Sequence, residues 1–332
     1  MAEGRDQGFK SAERSAIQGH ELSESHPDGQ SRIQNQGHVA IVGGGAVGRM
    51  LAYFLQAIDL TPIVYGRRGV ERIDQKILLR GVTRSLVTTG EESEPELWLF
   101  ATKAYDLSSA LDQWLPHISP DISAVLLCNG FLEPSLRGIR QRFAQHTLLK
   151  GIVARGARTS ADGTIVVSDS GHIIWGGSQT PTPIEQKLFG ALRSEGFHWD
   201  GDVCRLRKEK WFCNAVLNTL SGAYQLSRNG DAPLLPEYKE LCHEVFRLGL
   251  HYWPEWQGQN ANLEMLLHEL ISKTSDNENS MAVDVRLGRR TEADFLAGLV
   301  SHFPDARTRF PLLSRLHARI IAMGTQDRPT TD

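Results

Sequence analysis

The most constraining feature is an apolar run, a glycine turn and a helical stretch in immediate succession. His38-Val39-Ala40-Ile41-Val42 is short, apolar and β-branched, as a buried strand must be. Gly43-Gly44-Gly45-Ala46-Val47-Gly48 follows without a break, and RMLAYFLQAI after it has helical spacing. Gly43, Gly45 and Gly48 form G-x-G-x-x-G. With 31 glycines in the chain the pattern alone carries little weight, but its place between strand and helix makes it specific. Gly43 permits the tight turn, Gly45 lets backbone approach a pyrophosphate, and Gly48 lets the helix pack against the strand. The pyrophosphate of a dinucleotide then rests on the N–H groups of the helix N-terminus, with Gly44, Ala46 and Val47 completing the cradle.

Further strands are expected at 63–65, 96–101, 124–128 and 148–154, with helices between them, which implies a parallel sheet with right-handed crossovers. The runs 163–167 and 172–176 flank Ser168-Asp169-Ser170-Gly171 and read as a hairpin. Residues 181–196 read as a helix closed by Gly196. After about Val203 strand signals stop. Helices are expected over 205–226 (long and amphipathic), 237–253, 261–273, 280–300 and 311–323. At 332 residues the chain exceeds one ordinary core. The expected architecture is α/β: a Rossmann-type dinucleotide-binding domain over 38–200, then an all-helical domain over 201–325. Residues 1–37, rich in Gln, Ser, Glu and Gly, read as a disordered extension.

A net charge of -3 gives no electrostatic reason to expect nucleic acid or an anionic membrane as partner. No apolar run approaches the roughly 18 residues of a membrane span. The first residues lack the layout of an export signal. Cys128, Cys204, Cys213 and Cys242 form no CxxC pair and read as buried, reduced thiols rather than disulfides or a metal site. A cytoplasmic location is the expectation, and a homodimer is left open.

The cofactor's identity is read about 20 residues past the glycine turn, where NAD-binding units place a carboxylate for the ribose 2′-hydroxyl. That position holds Tyr65-Gly66-Arg67-Arg68. Two arginines and no carboxylate suit a 2′-phosphate, so NADP(H) is expected, with Arg67 as its first ligand. The competing reading makes both arginines solvated surface charges.

Lys210, Asn214 and Asn218 are spaced i, i+4, i+8 and share one helical face, apart from Cys213, Leu217 and Leu220. Amides in an apolar helix need partners, and a polar ligand is one; a solvated stripe is the other reading. The series K-x-x-x-N-x-x-x-N, Asn229-Gly230, S-M-x-x-D (280–284) and R-R-T-E-x-D (289–294) resembles the ketopantoate reductase family. Three segments of the first domain extend the resemblance over 38–300: GGGAVG, A-T-K-A-Y-D (101–106) and L-L-C-N-G (126–130). The resemblance implies NADPH-dependent reduction of 2-dehydropantoate to (R)-pantoate, on the way to pantothenate and coenzyme A. It implies that Lys210 is the general acid, that Asn214, Asn218, Asn229 and Ser280 hold substrate, and that Glu292 contacts the cofactor near the reacting centre. Lys103, Asn129 and Ala157 match cofactor-side positions, and Asn129 also reaches the substrate. Ser280 and Glu292 are placed on one helix, about 18 Å apart along its axis. Asp284 has two readings, helix dipole or catalysis, while Arg286, Arg289 and Arg290 read as helix-surface or packing residues.

The chain departs from the family pattern at Gly151–Ala157, where Arg155 replaces a histidine, and in a shortened Gly298–Leu313 stretch. An Arg155 that lined the pocket would favour a second reading, an NADP-dependent reductase of another small 2-oxo acid. A third is a non-catalytic dinucleotide sensor.

Overall fold

The structure, a computed structural model, describes residues 37–88 and 94–324, so the expected extension lies outside the described residues except for Gly37. The strands are β1 (His38–Val42), β2 (Thr61–Gly66), β3 (Gly69–Glu71), β4 (Ile73–Leu79), β5 (Val82–Thr88), β6 (Leu97–Phe100), β7 (Ser123–Leu126), β8 (Leu148–Val153), β9 (Ala157–Thr159), β10 (Ile165–Val167), β11 (Ile173–Gly176) and β12 (Phe197–Trp199). The helices are α1 (Ala46–Gln56), α2 (Leu107–Trp114), α3 (Glu133–Arg142), α4 (Pro183–Ala191), α5 (Val203–Tyr224), α6 (Tyr238–Tyr252), α7 (Asn260–Lys273), α8 (Ser280–Arg286), α9 (Ala306–Arg309) and α10 (Pro311–Gly324).

Eight strands form the main sheet in the order β12-β11-β8-β7-β6-β1-β2-β3. Its centre is parallel: Val39 pairs with Pro62 of β2 and Leu97 of β6, and Leu97 pairs with Ser123 of β7. Alternate residues of each strand face opposite layers. Val39, Ile41, Leu97, Leu99 and Val125 pack with Met50, Leu51, Phe54 and Leu55 of α1. Ala40, Val42, Trp98, Phe100, Ala124 and Leu126 pack with Leu107 and Leu111 of α2 and Leu136 and Ile139 of α3. Both faces are covered, which is why these strands read as unbroken apolar runs.

A second sheet, in the order β5-β4-β10-β9, has no counterpart in the sequence reading. Of its side chains, Ile73, Ile77, Leu86, Ile165 and Val167 bury against the α1 layer, while Val82 and Val87 are exposed. This sheet also overturns the expected hairpin. Strand β10 pairs with β4 and β9 in the small sheet, whereas β11 pairs with β8 and β12 in the main one. Gly171, at φ +134°, turns the chain from one sheet to the other.

Beyond Trp199 the described residues are helical or irregular. Helix α5 is the axis of this part, contacting α6, α7, α8 and α10. It is not amphipathic as expected, because Trp211 to Ala223 are buried on every side except at Asn214. The expected helix over 280–300 is likewise corrected. Helix α8 stops at Arg286: Gly288 turns left-handed at φ +59°, and Arg289 N donates to the Asp284 carbonyl (2.7 Å). Short 3-10 turns follow at Ala293–Phe295 and Ala297–His302. Ser280 and Glu292 therefore do not share a helix. Cys128, Cys213 and Cys242 are buried free thiols, but Cys204, on the solvent side of the first turn of α5, is exposed.

Arg155 does not line a pocket. Its side chain is 1% exposed. It donates to the carbonyls of Ser168 (2.9 Å), Asp169 (3.1 Å) and Glu195 (2.7 Å), pairs with the Glu195 carboxylate (3.1 Å) and stacks on Phe54. It fastens the β10–β11 loop to the end of α4's layer, so the reading that gave it substrate choice falls. Arg155→Ala is expected to cost about 2 kcal/mol in a denaturant-unfolding experiment while leaving the ranking of 2-oxo acid substrates unchanged. A stable variant with altered substrate ranking would contradict this.

Candidate active site

The parallel strands β1, β6 and β7 end at one edge of the sheet, and the loops that leave them carry the candidate site residues. After β1, Gly43 has φ +116°, and a Cβ there would stand 2.8 Å from the Ala101 carbonyl oxygen. A Cβ on Gly48 would overlap the Gly43 carbonyl. Gly45 is the N-cap of α1, with no side-chain cap, and a Cβ on it would meet nothing within 4 Å. Gly44, Ala46 and Val47 complete the turn. An anion can therefore approach the α1 N-terminus at Gly45, and its charge would be favoured there.

Arg67, in the turn after β2, has a side chain 87% exposed and pairs with Asp106 (3.2 Å). Arg68 is exposed beside it. Both follow the end of β2, which runs parallel to β1, and so stand at the end of the sheet that bears the glycine turn.

A hydrogen-bonded chain joins the loops after β6 and β7 to the helical half. Lys210 Nζ, on α5, donates to Asn129 Oδ1 (2.9 Å) and to the Val153 carbonyl of β8 (2.5 Å). Asn129 Nδ2 donates to Glu292 Oε2 (3.4 Å), and Ala104 N donates to Glu292 Oε1 (3.0 Å). Lys103 pairs with Asp284 of α8 (2.8 Å). Lys210, Asn129 and Glu292 are thus brought together directly. Lys103 stands beside them through its neighbour Ala104, and Asn214 lines the same cleft with Asn129, Gly130, Ile152, Arg207, Lys210 and Trp211.

Other expected residues have partners elsewhere. Asn218 accepts from Asn279 Nδ2 (2.8 Å), and Asn279 Oδ1 caps α8 at Met281 N (2.9 Å). Asn229 donates to Thr274 (3.0 Å), and its Oδ1 is buried without a partner among the described residues. Ser280 is exposed at the first position of α8, and Ala157 opens β9 in the small sheet. No hydrogen bond among the described residues joins Asn229, Ser280 or Ala157 to the Lys210 chain.

Three contributors were not read from the sequence. Arg207, one turn before Lys210, donates to the carbonyls of Gly130 (3.2 Å), Cys128 (3.3 Å) and Gly151. Its i−3 spacing from Lys210 was the available signal. Asn279 was legible as an N-cap one residue before Ser280. The Val153 carbonyl has no sequence signal, since any residue supplies one.

The two lysines differ electrostatically. Burial pushes Lys210 down from 10.5 to about 8, with help from Arg207 and against the pull of Glu292. Burial also works to lower Lys103, but the carboxylates of Glu292 and Asp284 outweigh it and the net shift is upward. A lysine poised near neutral pH against neutral acceptors can release a proton to a substrate oxygen and stabilise negative charge as it develops there.

A glycine turn that can take a dinucleotide, next to a lysine–amide–carboxylate chain, defines the class of dinucleotide-dependent reductases. The comparisons agree. The family described as ketopantoate reductase PanE/ApbA matches residues 39–179, and its C-terminal counterpart matches residues 202–309. The chain belongs to the ketopantoate reductase family and is an oxidoreductase. Among its relatives, 2-dehydropantoate 2-reductase of Yersinia pestis is 29% identical over 278 residues, covering 78% of this chain and 86% of that protein. The enzyme of the same name from Bacillus subtilis (strain 168) is 25% identical over 274 residues, covering 78% and 88%. The crystal structure of a PanE/ApbA family ketopantoate reductase from Ralstonia eutropha JMP134 superposes with a TM-score of 0.71 at 18% identity, over 86% of this chain and 98% of that one, and so shares the fold.

If Lys210 acts as the acid, kcat/KM for keto-acid reduction holds steady below its pKa and falls as pH rises through about 8, by about tenfold per unit beyond it. The sign follows because the protonated form is the active one. A profile that stays flat to strongly alkaline pH would contradict this.

Proposed function

We propose that this protein reduces 2-dehydropantoate to (R)-pantoate with NADPH, a step towards pantothenate and coenzyme A, in the cytoplasm. The observation that carries the reading is Lys210 Nζ, held in the cleft on two neutral acceptors with its pKa lowered to about 8. Residues 38–200 would hold the cofactor and residues 201–325 most of the substrate.

The residues present fit a dinucleotide: Gly45 leaves the approach to α1 open, and Arg67 is exposed within reach of the β2 end. The Gly43–Gly48 turn would hold the pyrophosphate and Arg67 the 2′-phosphate. When bound, the nicotinamide supplies the hydride. Lys210 donates a hydrogen bond to the ketone oxygen, steadies the charge that builds there and passes its proton to it, giving the hydroxyl. Asn129 orients Lys210, and Glu292 orients Asn129 while anchored to Ala104 N. Asn218 is held by Asn279, and Asn129 by Lys210 and Glu292, so Asn214, which lines the cleft beside Lys210, is the amide best placed to take the substrate's carboxylate or hydroxyl. A non-catalytic sensor would not need Lys210 and Glu292 linked in this way.

Purified protein should oxidise NADPH when 2-dehydropantoate is added; turnover of other 2-oxo acids but not this one would overturn the substrate assignment. Lys210→Ala should lower kcat by at least about a hundredfold with NADPH affinity unchanged, and equal loss of both would contradict its role. Arg67→Ala should weaken NADPH far more than NADH, and an equal effect on both would remove Arg67 from the 2′-phosphate.

A further inference from the structure

Glu71 offers a carboxylate at the dinucleotide turn that the sequence pattern does not reveal. Strands β2 and β3 form a tight hairpin in which Gly66 pairs with Gly69 and Val64 with Glu71. The chain thus leaves the β2 end and comes straight back beside it. The Glu71 side chain lies across two glycines: a Cβ on Gly44 would overlap Oε2, and a Cβ on Gly66 would overlap Oε1. Glycine at both places leaves room for the carboxylate where it lies; a Cβ at either would make it move. The carboxylate is half-buried and has no hydrogen-bond or ion-pair partner among the described residues, while Arg67, across the same turn, is engaged by Asp106.

This placement has a chemical consequence. A dinucleotide seated on Gly43–Gly48 carries its adenosine ribose past the end of β2. A carboxylate there accepts a hydrogen bond from the ribose 2′-hydroxyl, and NAD-binding units supply one from the β2 tip. Here the β2 tip is Gly66-Arg67-Arg68, and the carboxylate comes instead from β3. Toward a 2′-phosphate the same group is a like charge at close range, which opposes binding. The site therefore holds two opposed determinants: a mobile-length, exposed guanidinium that suits the 2′-phosphate and a seated carboxylate that suits the free 2′-hydroxyl.

We propose that Glu71 is a specificity-determining residue that accepts the 2′-hydroxyl of NADH and limits the preference for NADPH that Arg67 confers, so that the protein takes both cofactors. The assignment rests on the dinucleotide reading above and adds to it the residue that sets selectivity.

The test is the Kd of NADH and of NADPH for the full chain, measured by titration calorimetry with wild type, Glu71→Ala and Glu71→Gln. Wild type binds both. Glu71→Ala weakens NADH roughly tenfold, the loss of one hydrogen bond to a charged group, and leaves NADPH as tight or tighter. Glu71→Gln keeps the size and one acceptor and shifts selectivity in the same direction by less. Loss of both affinities by one common factor, or an NADH affinity indifferent to Glu71, overturns the assignment while the dinucleotide reading stands. Wild type that binds NADPH alone also overturns only the assignment. Wild type that binds neither cofactor overturns both.

Discussion

Lys210 meets an amide oxygen and a peptide carbonyl rather than a carboxylate, and the proposed chemistry depends on that choice of partner. A carboxylate at hydrogen-bond distance would hold the proton on the lysine, as the neighbouring carboxylates do for Lys103. Neutral acceptors fix the ammonium in place with no carboxylate in contact, so burial, helped by Arg207, outweighs the more distant pull of Glu292 and brings it to about 8. Asn129 stands between Lys210 and Glu292, accepting from the ammonium on one side and donating to the carboxylate on the other. An amide is the side chain suited to that position, since it is donor and acceptor at once.

The fold serves this contact from both directions. Asn129 follows β7 and Val153 ends β8, so both acceptors are tied to the ends of adjacent parallel strands. Lys210 is carried by α5, whose burial against the surrounding helices fixes its orientation. Arg207 adds a second fastening, because its guanidinium grips the carbonyls on either side of Asn129, those of Cys128 and Gly130. Glu292 reaches the chain only because α8 ends at Arg286. Were 280–300 a continuous helix, Glu292 could not turn back to Ala104.

How far the sequence was legible follows from which forces act locally. The glycine turn and the buried parallel strands could be read directly, because a strand covered on both faces must be apolar throughout and a close approach to backbone demands glycine. The small sheet could not, since β4 and β5 bury few side chains and mix polar with exposed apolar residues, which leaves no clean alternation to read. The positions of Arg155 and Glu71 were equally hidden. Both are charged residues near sites where charge has an obvious use, and only the three-dimensional arrangement shows that Arg155 is spent on backbone carbonyls while Glu71 is brought to the glycines by a hairpin. The break in the 280–300 helix had a visible cause in Gly288, but the apolar periodicity on either side of it masked the signal.

In the proposed chemistry Lys210 and Asn129 act as one unit. A double-mutant cycle in kcat/KM for 2-dehydropantoate reduction, built from Lys210→Ala, Asn129→Ala and the pair, tests it most directly. If Asn129 works through Lys210, the double variant is scarcely slower than Lys210→Ala alone. If the two losses multiply, Asn129 acts independently of Lys210 and the two do not form a unit.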